Sequence, residues 1–386
     1  MTEKLYYADS YIAEFSAVVE GIEGFDNKTA IILDKSAFFP EGGGQAADAG
    51  YIGDAFIFDV CEKNGIIYHF TNEKELPSEG AVVHCRINAE KRFARMQAHS
   101  GEHIVSGIAH SLYGADNVGF HMDDTVMTVD FNIPLTDEQL ENIEVKANEC
   151  VYKNEKINTF ILSSEKAASY NYRSKLEFTD DVRLVEIENT DICACCAPHV
   201  RATGEIGIIK ILSSVSHRGG VRITLICGKT AFEDYIKKHN ATMSISSLLC
   251  SKHYETANAV EKLIEANSNI KYEFSCRQKK LLEIIAANIS PDSIICRFYD
   301  MLSMDDIREI CNFSKDKCEK LCIILTGNDE NGYAYCIYSE LSELSDIVKQ
   351  FNSACLGNGG GRGNMLQGKV KGSKEQIINF FTELKV

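Results

Sequence analysis

Two histidines separated by three residues are the first side chains in the sequence whose types and spacing suggest shared chemistry. His99 and His103 flank Ser100-Gly101-Glu102, and a four-residue step places both imidazoles on one face if the stretch is helical. Two imidazoles on one helix face can bind a single metal ion. The pair alone is weak evidence, because a chain with 10 histidines produces this spacing by chance.

A group of thiols about a hundred residues later supplies further metal donors. Cys193, Cys195 and Cys196 precede His199 within one short stretch, and the chain has 15 cysteines, an odd number. Cysteines beside a histidine in such a chain indicate metal ligands more than a disulfide. We therefore predict a tetrahedral site with nitrogen and sulfur donors, the set that Zn²⁺ prefers, formed by His99, His103, His199 and one of the three thiols.

A glycine-rich turn is the second candidate site. Gly42, Gly43 and Gly44 are followed by Gln45, and consecutive glycines expose backbone amides and let a substrate approach the chain closely. The run does not precede a predicted helix and lacks the Lys-Ser/Thr pair of a nucleotide P-loop. By itself it fits a hairpin loop, in which glycine relieves strain, equally well.

The elements that must position these residues form an α+β multidomain chain. Residues 1–88 are rich in short strands divided by turns, which predicts a small β-barrel or a strongly bent sheet. Residues 89–228 form the metal-binding core and open with a helix over 89–113 that ends at Gly114. A helical linker over 229–289, with a break at 267–269, leads to a glycine-rich α/β domain over 290–386.

Composition excludes several classes of protein. No apolar run approaches the roughly 20 residues that span a bilayer, and the N-terminus lacks the apolar stretch of a signal peptide. We therefore expect a cytoplasmic protein, whose thiols stay reduced. The formal charge of −16 argues against a general electrostatic grip on nucleic acid, so contacts with RNA would rest on local basic patches and shape.

Three segments together make a family resemblance. LDKSAFFPEGGGQAADAG over 33–50, HSGEH over 99–103 and CCAPHVRATGEIG over 195–207 resemble the editing domain of alanyl-tRNA synthetases and, more closely, the free-standing AlaX trans-editing proteins. The glycine run over 357–363 resembles the C-terminal domain that long-form AlaX proteins carry after a helical linker. The resemblance therefore covers nearly the whole chain and is closest to the long form.

The resemblance implies a zinc-dependent hydrolase that removes serine, or glycine, from mischarged tRNA(Ala). It assigns the thiol ligand to Cys195 and gives Ser36, where the family commonly has Thr, the task of reading the seryl hydroxyl. The usual Cys-Gly-Gly-Thr-His is here Cys195-Cys196-Ala197-Pro198-His199, with the ligand positions kept. The groups that would position the ester or the water, or act as base, are Gln45, the backbone amides of Gly43 and Gly44, and Glu102.

Contacts with tRNA are predicted at basic residues and at the second glycine run. The arginines fit ordinary surface salt bridges equally well, and the resemblance implies that the C-terminal domain holds tRNA or mediates a homodimer. The candidates are Arg92, Arg95, Arg218, Arg222, Gly359, Gly360, Gly361 and Arg362.

Two other functions stay open. His99-Ser100-Gly101-Glu102-His103 also fits an inverted-zincin metallopeptidase, in which Glu102 would be the base. A closed set of four protein ligands also fits a non-catalytic tRNA-binding module with a structural zinc.

Overall fold

The computed structural model describes residues 1–25, 28–174 and 181–384. The chain divides into two compact units, Met1–Ser244 and Ile245–Val386. The finer division at residues 88, 228 and 289 stays a prediction. Among the helices of the described residues, none combines the length and apolar character needed to cross a membrane.

The first part of the N-terminal unit is an antiparallel sheet of seven strands. Their order across the sheet is β6-β5-β9-β2-β3-β8-β7, and a short parallel pair, β1 with β4, lies outside it. The elements are β1 (Glu3–Lys4), α1 (Leu5–Ala8), β2 (Glu14–Phe25), β3 (Lys28–Leu33), β4 (Lys35–Ser36), β5 (Gly50–Ile52), β6 (Ala55–Ile57), β7 (Asp59–Lys63), β8 (Ile66–Thr71) and β9 (Val82–Ile87).

The sheet bends strongly, as its strand order requires. β6 and β7 stand at opposite ends of the order, yet only Phe58 separates them in the chain. The Phe58 amide donates to the Phe70 carbonyl at 3.1 Å, so the two edges approach each other. The enclosed core contains Ile31, Leu33, Phe38 and Phe39, and full burial of each such side chain contributes roughly 1.5–3 kcal/mol.

The second part of this unit opens with the helix that carries the histidine pair. Asn88 caps it by accepting from the Lys91 amide at 3.0 Å, and Gly114 ends it in the left-handed conformation at φ 67°. The elements are α2 (Ala89–Tyr113), β10 (Asn117–Met122), β11 (Met127–Phe131), α3 (Asp137–Lys153), β12 (Ile157–Leu162), α4 (Ser164–Ala167), β13 (Val182–Ile187), β14 (Asp191–Ala194), β15 (Ile209–His217), β16 (Gly220–Cys227) and α5 (Gly228–Leu248).

Two further sheets surround α2. One has four antiparallel strands in the order β10-β11-β16-β15, and the other has three in the order β12-β13-β14. Residues of α2 and α3 share one apolar core with both sheets, including Ile104, Ile143, Val129 and Val185. The loop after β14 is thereby held beside α2.

The second unit contains a long helix and an α/β domain. Its mixed sheet has the order β17-β18-β19-β21-β20, and α7 connects the parallel pair β17 and β18. The elements are α6 (Thr256–Ala287), β17 (Asp292–Tyr299), α7 (Met304–Ser314), β18 (Cys318–Asn328), β19 (Gly332–Tyr338), α8 (Leu344–Ala354), β20 (Asn358–Gly360), β21 (Met365–Val370) and α9 (Lys374–Glu383).

Both faces of this sheet are covered. Along β18, Leu321 and Ile323 pack in a core with α8 and α9, whereas Cys322 and Ile324 pack in another with α6 and α7. This alternation is that of a strand buried on both sides. The predicted fold class, α+β units followed by a C-terminal α/β domain, is confirmed.

The predicted helix break at residues 267–269 is wrong. α6 runs through these residues, and the break lies between Leu248 and Thr256, where Cys250 has a φ of 49°. Asn and Ser cost only a few tenths of a kcal/mol each in a helix interior. Leaving the helix would cost more, because several backbone hydrogen bonds would be lost.

Candidate metal centre

The four side chains predicted as metal ligands converge. One donor atom from each of His99, His103, Cys195 and His199 lies within 4.8 Å of the other three. α2 contributes both His99 and His103 from one face, as the four-residue spacing predicts. The loop that follows β14 contributes the other two residues.

The imidazoles direct their ε nitrogens toward the thiol. Cys195 Sγ lies 3.5 Å from His99 Nε2 and 3.4 Å from His199 Nε2. The ring centroids of His103 and His199 are 4.6 Å apart. The three histidines are buried, so the cluster is a small polar chamber in which a metal ion would satisfy the facing donors.

The δ nitrogens of the same imidazoles each meet a separate polar group. The Gln45 and Asp191 oxygens can only accept a proton, so they favour the tautomers of His99 and His103 that leave Nε2 free, as outer groups do around metal-binding histidines. The contacts are His99 Nδ1 to Gln45 Oε1 at 3.0 Å, His103 Nδ1 to Asp191 Oδ2 at 3.2 Å, and His199 Nδ1 to Ser100 Oγ at 3.0 Å.

Electrostatics favour the ligand forms of the thiol and of one imidazole. Burial alone would raise the pKa of Cys195, but the charge of His99 and hydrogen bonds from His103 and His199 to the thiol lower that pKa well below its ordinary value. Burial lowers the pKa of His199 to about 3. A thiolate and a neutral imidazole are the forms that bind metal.

The three cysteines of the cluster have different neighbours. Cys195 belongs to the four-residue group, whereas Cys193 groups with His103 and Asp191. Cys196 faces the glycine turn, since its Sγ lies 3.6 Å from where a Cβ on Gly43 would stand. The geometry therefore favours Cys195 as the thiol ligand.

A buried ion pair behind His103 is part of the site that the sequence did not reveal. Arg173 binds Asp191 with two hydrogen bonds, Nε to Oδ1 at 2.6 Å and Nη2 to Oδ2 at 2.8 Å. Burial would raise the pKa of Asp191, but hydrogen bonds with His103 and Arg173 lower it below its usual range. Asp191 stands at the start of β14, four residues before Cys195, which was the available signal.

The glycine turn lies against the same cluster. Gly42 and Gln45 exchange two backbone hydrogen bonds at 3.1 and 3.0 Å, which places Gln45 beside His99. Gln45 is buried, and its Nε2 has no hydrogen-bond partner among the described residues. A buried donor without a partner beside a reactive cluster is a candidate contact for substrate.

Gly44 cannot carry a side chain. Its φ is 82°, and a Cβ would lie 2.6 Å from a ring carbon of Phe120; that ring also packs on His99, with centroids 5.0 Å apart. We expect Gly44→Ala to reduce the free energy of unfolding by about 2 kcal/mol or more, through left-handed strain and displacement of the ring. Urea unfolding measures the effect.

Gly43 offers the matched control. Its φ is 60°, but a Cβ there would meet only the Cys196 sulfur at 3.6 Å. Gly43→Ala should therefore cost only the backbone term, about 1 kcal/mol. Equal losses from the two variants would show that Phe120 does not constrain the turn.

Ser36 is more enclosed than its predicted role suggests. It is 0% exposed, and its hydroxyl lies 2.7 Å from His69 Nε2 while accepting from the Phe38 amide at 3.1 Å. His69 Nδ1 donates to the Ile31 carbonyl at 2.8 Å, so Nε2 must accept the hydroxyl proton of Ser36. Contact between Ser36 and a seryl hydroxyl would require this packing to open.

Glu102 occupies a buried position outside the four-residue group. Its carboxylate accepts from Ser106 Oγ and from Asn117 Nδ2, the latter at 2.6 Å. The carboxylate is therefore not solvated, since the residue is 4% exposed. These contacts also weaken the metallopeptidase alternative, in which Glu102 would face the metal-bound water.

The predicted phosphate-binding arginines of the first unit differ in accessibility. Arg92 is 4% exposed and pairs with the buried Asp48, so it stabilises the fold and offers no surface for phosphate. Arg95 is buried as well and binds Asp124 at 2.9 Å. Arg222 is paired with Asp130 in β11.

The remaining tRNA candidates are exposed. Arg218 is exposed at a turn with a φ of 48°, and Gly360, Gly361 and Arg362 are exposed in the second unit. Gly359 has a packing reason instead, because a Cβ there would lie 2.4 Å from the Tyr335 hydroxyl. Contacts with tRNA at these positions stay a prediction.

Comparison with known proteins supports the resemblance stated above. Residues 2–91 match the model for tRNA synthetases class II (A), residues 182–224 that for the threonyl and alanyl tRNA synthetase second additional domain, and residues 292–385 the DHHA1 domain. The alanyl-tRNA editing protein AlaX-L of Pyrococcus horikoshii is 24% identical over 99% of this chain and 98% of that protein.

Alanine–tRNA ligases also match nearly all of this chain. That of Ignicoccus hospitalis is 30% identical over 99% of this chain, and that of Pyrococcus furiosus is 28% identical over 96%. The chain spans 43% and 42% of these two ligases, less than half their length. The resemblance to the long-form AlaX editing proteins is confirmed over the whole chain.

Proposed function

We propose that this chain is a zinc-dependent hydrolase that deacylates mischarged tRNA(Ala), an editing function like that named for the AlaX-L protein it resembles. Ser-tRNA(Ala) is the main substrate and Gly-tRNA(Ala) a second one. The observation that carries the proposal is the convergence of His99, His103, Cys195 and His199 beside the Gly42–Gln45 turn, in a chain similar to AlaX-L along its full length.

The donor set fits zinc. Three imidazole nitrogens and one thiolate form the mixed tetrahedral set that Zn²⁺ prefers, and the Gln45 and Asp191 oxygens that face Nδ1 of His99 and His103 match a metal-binding role. His99, His103, Cys195 and His199 would hold the ion. When bound, zinc supplies Lewis acidity, either toward a water molecule or toward a substrate group.

Gln45 is suited to bind the ester carbonyl. Its Oε1 lies 3.0 Å from His99 Nδ1, and because that nitrogen must donate when Nε2 faces a metal, the amide is oriented. Its Nε2, buried and without a partner among the described residues, is then left as a donor to the oxygen that gains charge during hydrolysis. Gly43 and Gly44, both exposed residues, lie in the same turn.

Gln45→Glu tests the Nε2 donor of Gln45 without removing the contact between its Oε1 and His99 Nδ1. Glutamate keeps an acceptor for His99 Nδ1 and removes the Nε2 donor, so we expect kcat to fall roughly 10²- to 10³-fold with zinc content retained. Single-turnover deacylation and metal analysis measure the two quantities. A variant with normal kcat would remove the donor role.

Selectivity is tested by comparing Ser-, Gly- and Ala-tRNA(Ala) as substrates for the zinc-loaded protein. We expect Ser-tRNA(Ala) to be hydrolysed at least tenfold faster than Ala-tRNA(Ala). In the proposal the packing around Ser36 opens and its hydroxyl binds the seryl hydroxyl, and a site built around such a contact discriminates against alanine, which lacks the hydroxyl. Equal rates on all three substrates would end the editing proposal.

A non-catalytic tRNA-binding module with a structural zinc is the second candidate. The closed set of four protein donors favours it, since catalytic zinc usually keeps one position open. The same assay separates the two, because this module would bind Ser-tRNA(Ala) without releasing serine.

Two further parts of the proposal concern assembly and compartment. α6 carries exposed apolar side chains, among them Leu263, Ile270 and Phe274, which supports a homodimer through the second unit; sedimentation of the whole protein tests it. All 15 cysteines are free thiols, which supports a reducing cytoplasm.

A further inference from the structure

Cys195, the thiol donor of the four-residue group, has both of its main-chain polar groups bound by one residue of β13. Its amide donates to the Arg183 carbonyl at 3.1 Å, and its own carbonyl accepts from Arg183 Nη1 at 2.8 Å. The main chain of the ligand is therefore fixed on two sides. Only the torsion about the Cα–Cβ bond is left to direct the sulfur toward the imidazoles.

The Arg183 side chain also binds the loop two residues further on. The same Nη1 donates to the Ala197 carbonyl at 2.9 Å, so one nitrogen with two N–H groups serves two carbonyls. Because the donor is charged, each bond is stronger than one between neutral groups. The Ala197 amide donates to Cys195 Sγ at 3.4 Å, and this amide therefore lies between two anchored carbonyls.

The Arg183 guanidinium is committed to this loop. Among the described residues it makes no ion pair with a carboxylate, whereas Arg173 binds Asp191 with two hydrogen bonds. Its central carbon lies 5.1 Å from the centroid of the Tyr7 ring. A partly buried charge without a carboxylate costs free energy, and the loop carbonyls and the aromatic ring are the contacts that offset this cost.

We propose that Arg183 is a positioning residue of the metal centre, which holds the segment 195–197 so that the Cys195 sulfur meets the three imidazoles. The proposal rests on the proposed function in one respect, the zinc ion bound by that sulfur. Arg183 acts through the main chain of Cys195, whose carbonyl it binds. Loss of such an outer contact reduces metal affinity roughly 10- to 100-fold.

Lys317 shows that an ammonium group makes the same kind of contact in this chain. Its Nζ donates to the carbonyls of Ala286, Ala287 and Ile289 at 3.0, 2.7 and 2.9 Å, around the end of α6. Arg183→Lys would therefore keep the positive charge and enough donors for two carbonyls. Lys317 is also a matched control, because the carbonyls it binds belong to no metal ligand.

Arg183→Met tests the proposal, because methionine keeps an unbranched side chain but has neither the charge nor the donors. With Co²⁺ in place of zinc, the charge-transfer absorption from the thiolate reports the bond between Cys195 and the ion. In Arg183→Met we expect this absorption to fall at least twofold at saturating Co²⁺ and zinc affinity to fall roughly 10- to 100-fold. Arg183→Lys should return both to near the wild-type values.

Urea unfolding in chelator separates positioning from a general loss of stability. Lys317→Met should unfold at lower urea, as Arg183→Met does, while its Co²⁺ absorption and zinc affinity stay those of the wild type. The proposal is overturned if Arg183→Met is less stable but keeps both metal properties, or if Arg183→Lys is as impaired as Arg183→Met. If Arg183→Met does not fold, Arg183→Gln, whose shorter amide can serve only one carbonyl, decides by the same two measurements.

The outcomes also separate this proposal from the proposed function. A wild-type protein that hydrolyses no aminoacyl-tRNA, with metal affinity that falls in Arg183→Met and returns in Arg183→Lys, would support the positioning role and contradict the enzyme. A wild-type protein that deacylates Ser-tRNA(Ala), with zinc affinity and Co²⁺ absorption unchanged in Arg183→Met, would support the enzyme and overturn the positioning role.

Discussion

Cys195→Ala is expected to abolish both stoichiometric zinc binding and hydrolysis of Ser-tRNA(Ala). The thiolate is the one sulfur donor among the four converging ligands and the one anion that balances the charge of the ion. Even groups behind a ligand change metal affinity 10- to 100-fold, so removal of the ligand itself should cost roughly 100-fold or more. Metal analysis after dialysis and single-turnover deacylation measure the two losses.

Cys196→Ala is the matched control for this experiment. Cys196 is the adjacent thiol, lies beside Gly42 and Gly43 rather than in the four-donor group, and should keep the zinc. If Cys196→Ala loses the metal and Cys195→Ala retains it, the ligand assignment is wrong. If Cys195→Ala loses zinc but deacylates normally, the ion is structural and the hydrolysis does not depend on it.

The helix that carries the histidine pair was predictable because its information is local. Asn88 is a standard helix N-cap and Gly114 a standard helix terminator. The apolar residues between them recur at helical spacing, so both ends of the helix could be placed, and the predicted range 89–113 is that of α2. The convergence of His99 with Cys195 is not local. It was inferred from donor chemistry and the family resemblance, and the geometry agrees with it.

The groups behind the ligands were not predictable in the same way. Asp191, Arg173 and Ser100 are ordinary polar residues in the sequence, and their roles follow from contacts between distant segments, such as Ser100 with His199. The burial of Ser36 and Glu102 was equally unpredictable. No periodic pattern in a single sequence indicates that a polar side chain will be buried together with its hydrogen-bond partners.

The start of α7 is also marked by a local signal. Ser303 and Asp306 form a reciprocal cap there, and this four-residue pattern precedes an apolar helical period, which together are enough to predict a helix. The helix break was misplaced for the opposite reason, since Asn267 and Asn269 look like turn residues but cost little on an exposed helix. Intrinsic helix propensity is therefore a weak guide to where a helix breaks on an exposed surface.

Asp191→Asn should weaken zinc binding and destabilise the zinc-free fold together. The carboxylate lies 3.2 Å from His103 Nδ1 and binds Arg173 through both oxygens. Asparagine keeps the shape but removes the charge that orients the imidazole and neutralises the partly buried guanidinium of Arg173. We expect zinc affinity to fall roughly 10- to 100-fold and the free energy of unfolding to fall about 3 kcal/mol, measured by metal competition and by urea unfolding in chelator.

Asp130→Asn distinguishes the buried pair from an ordinary one. Asp130 binds Arg222 with the same two-bond geometry, at 2.6 and 2.7 Å, but nearer the surface, where such a pair contributes under about 1 kcal/mol. It makes no contact with the metal ligands in the described part of the chain, so zinc affinity should not change. Similar losses from Asp130→Asn and Asp191→Asn would mean that Asp191 only holds Arg173, and that His103 is oriented by something else.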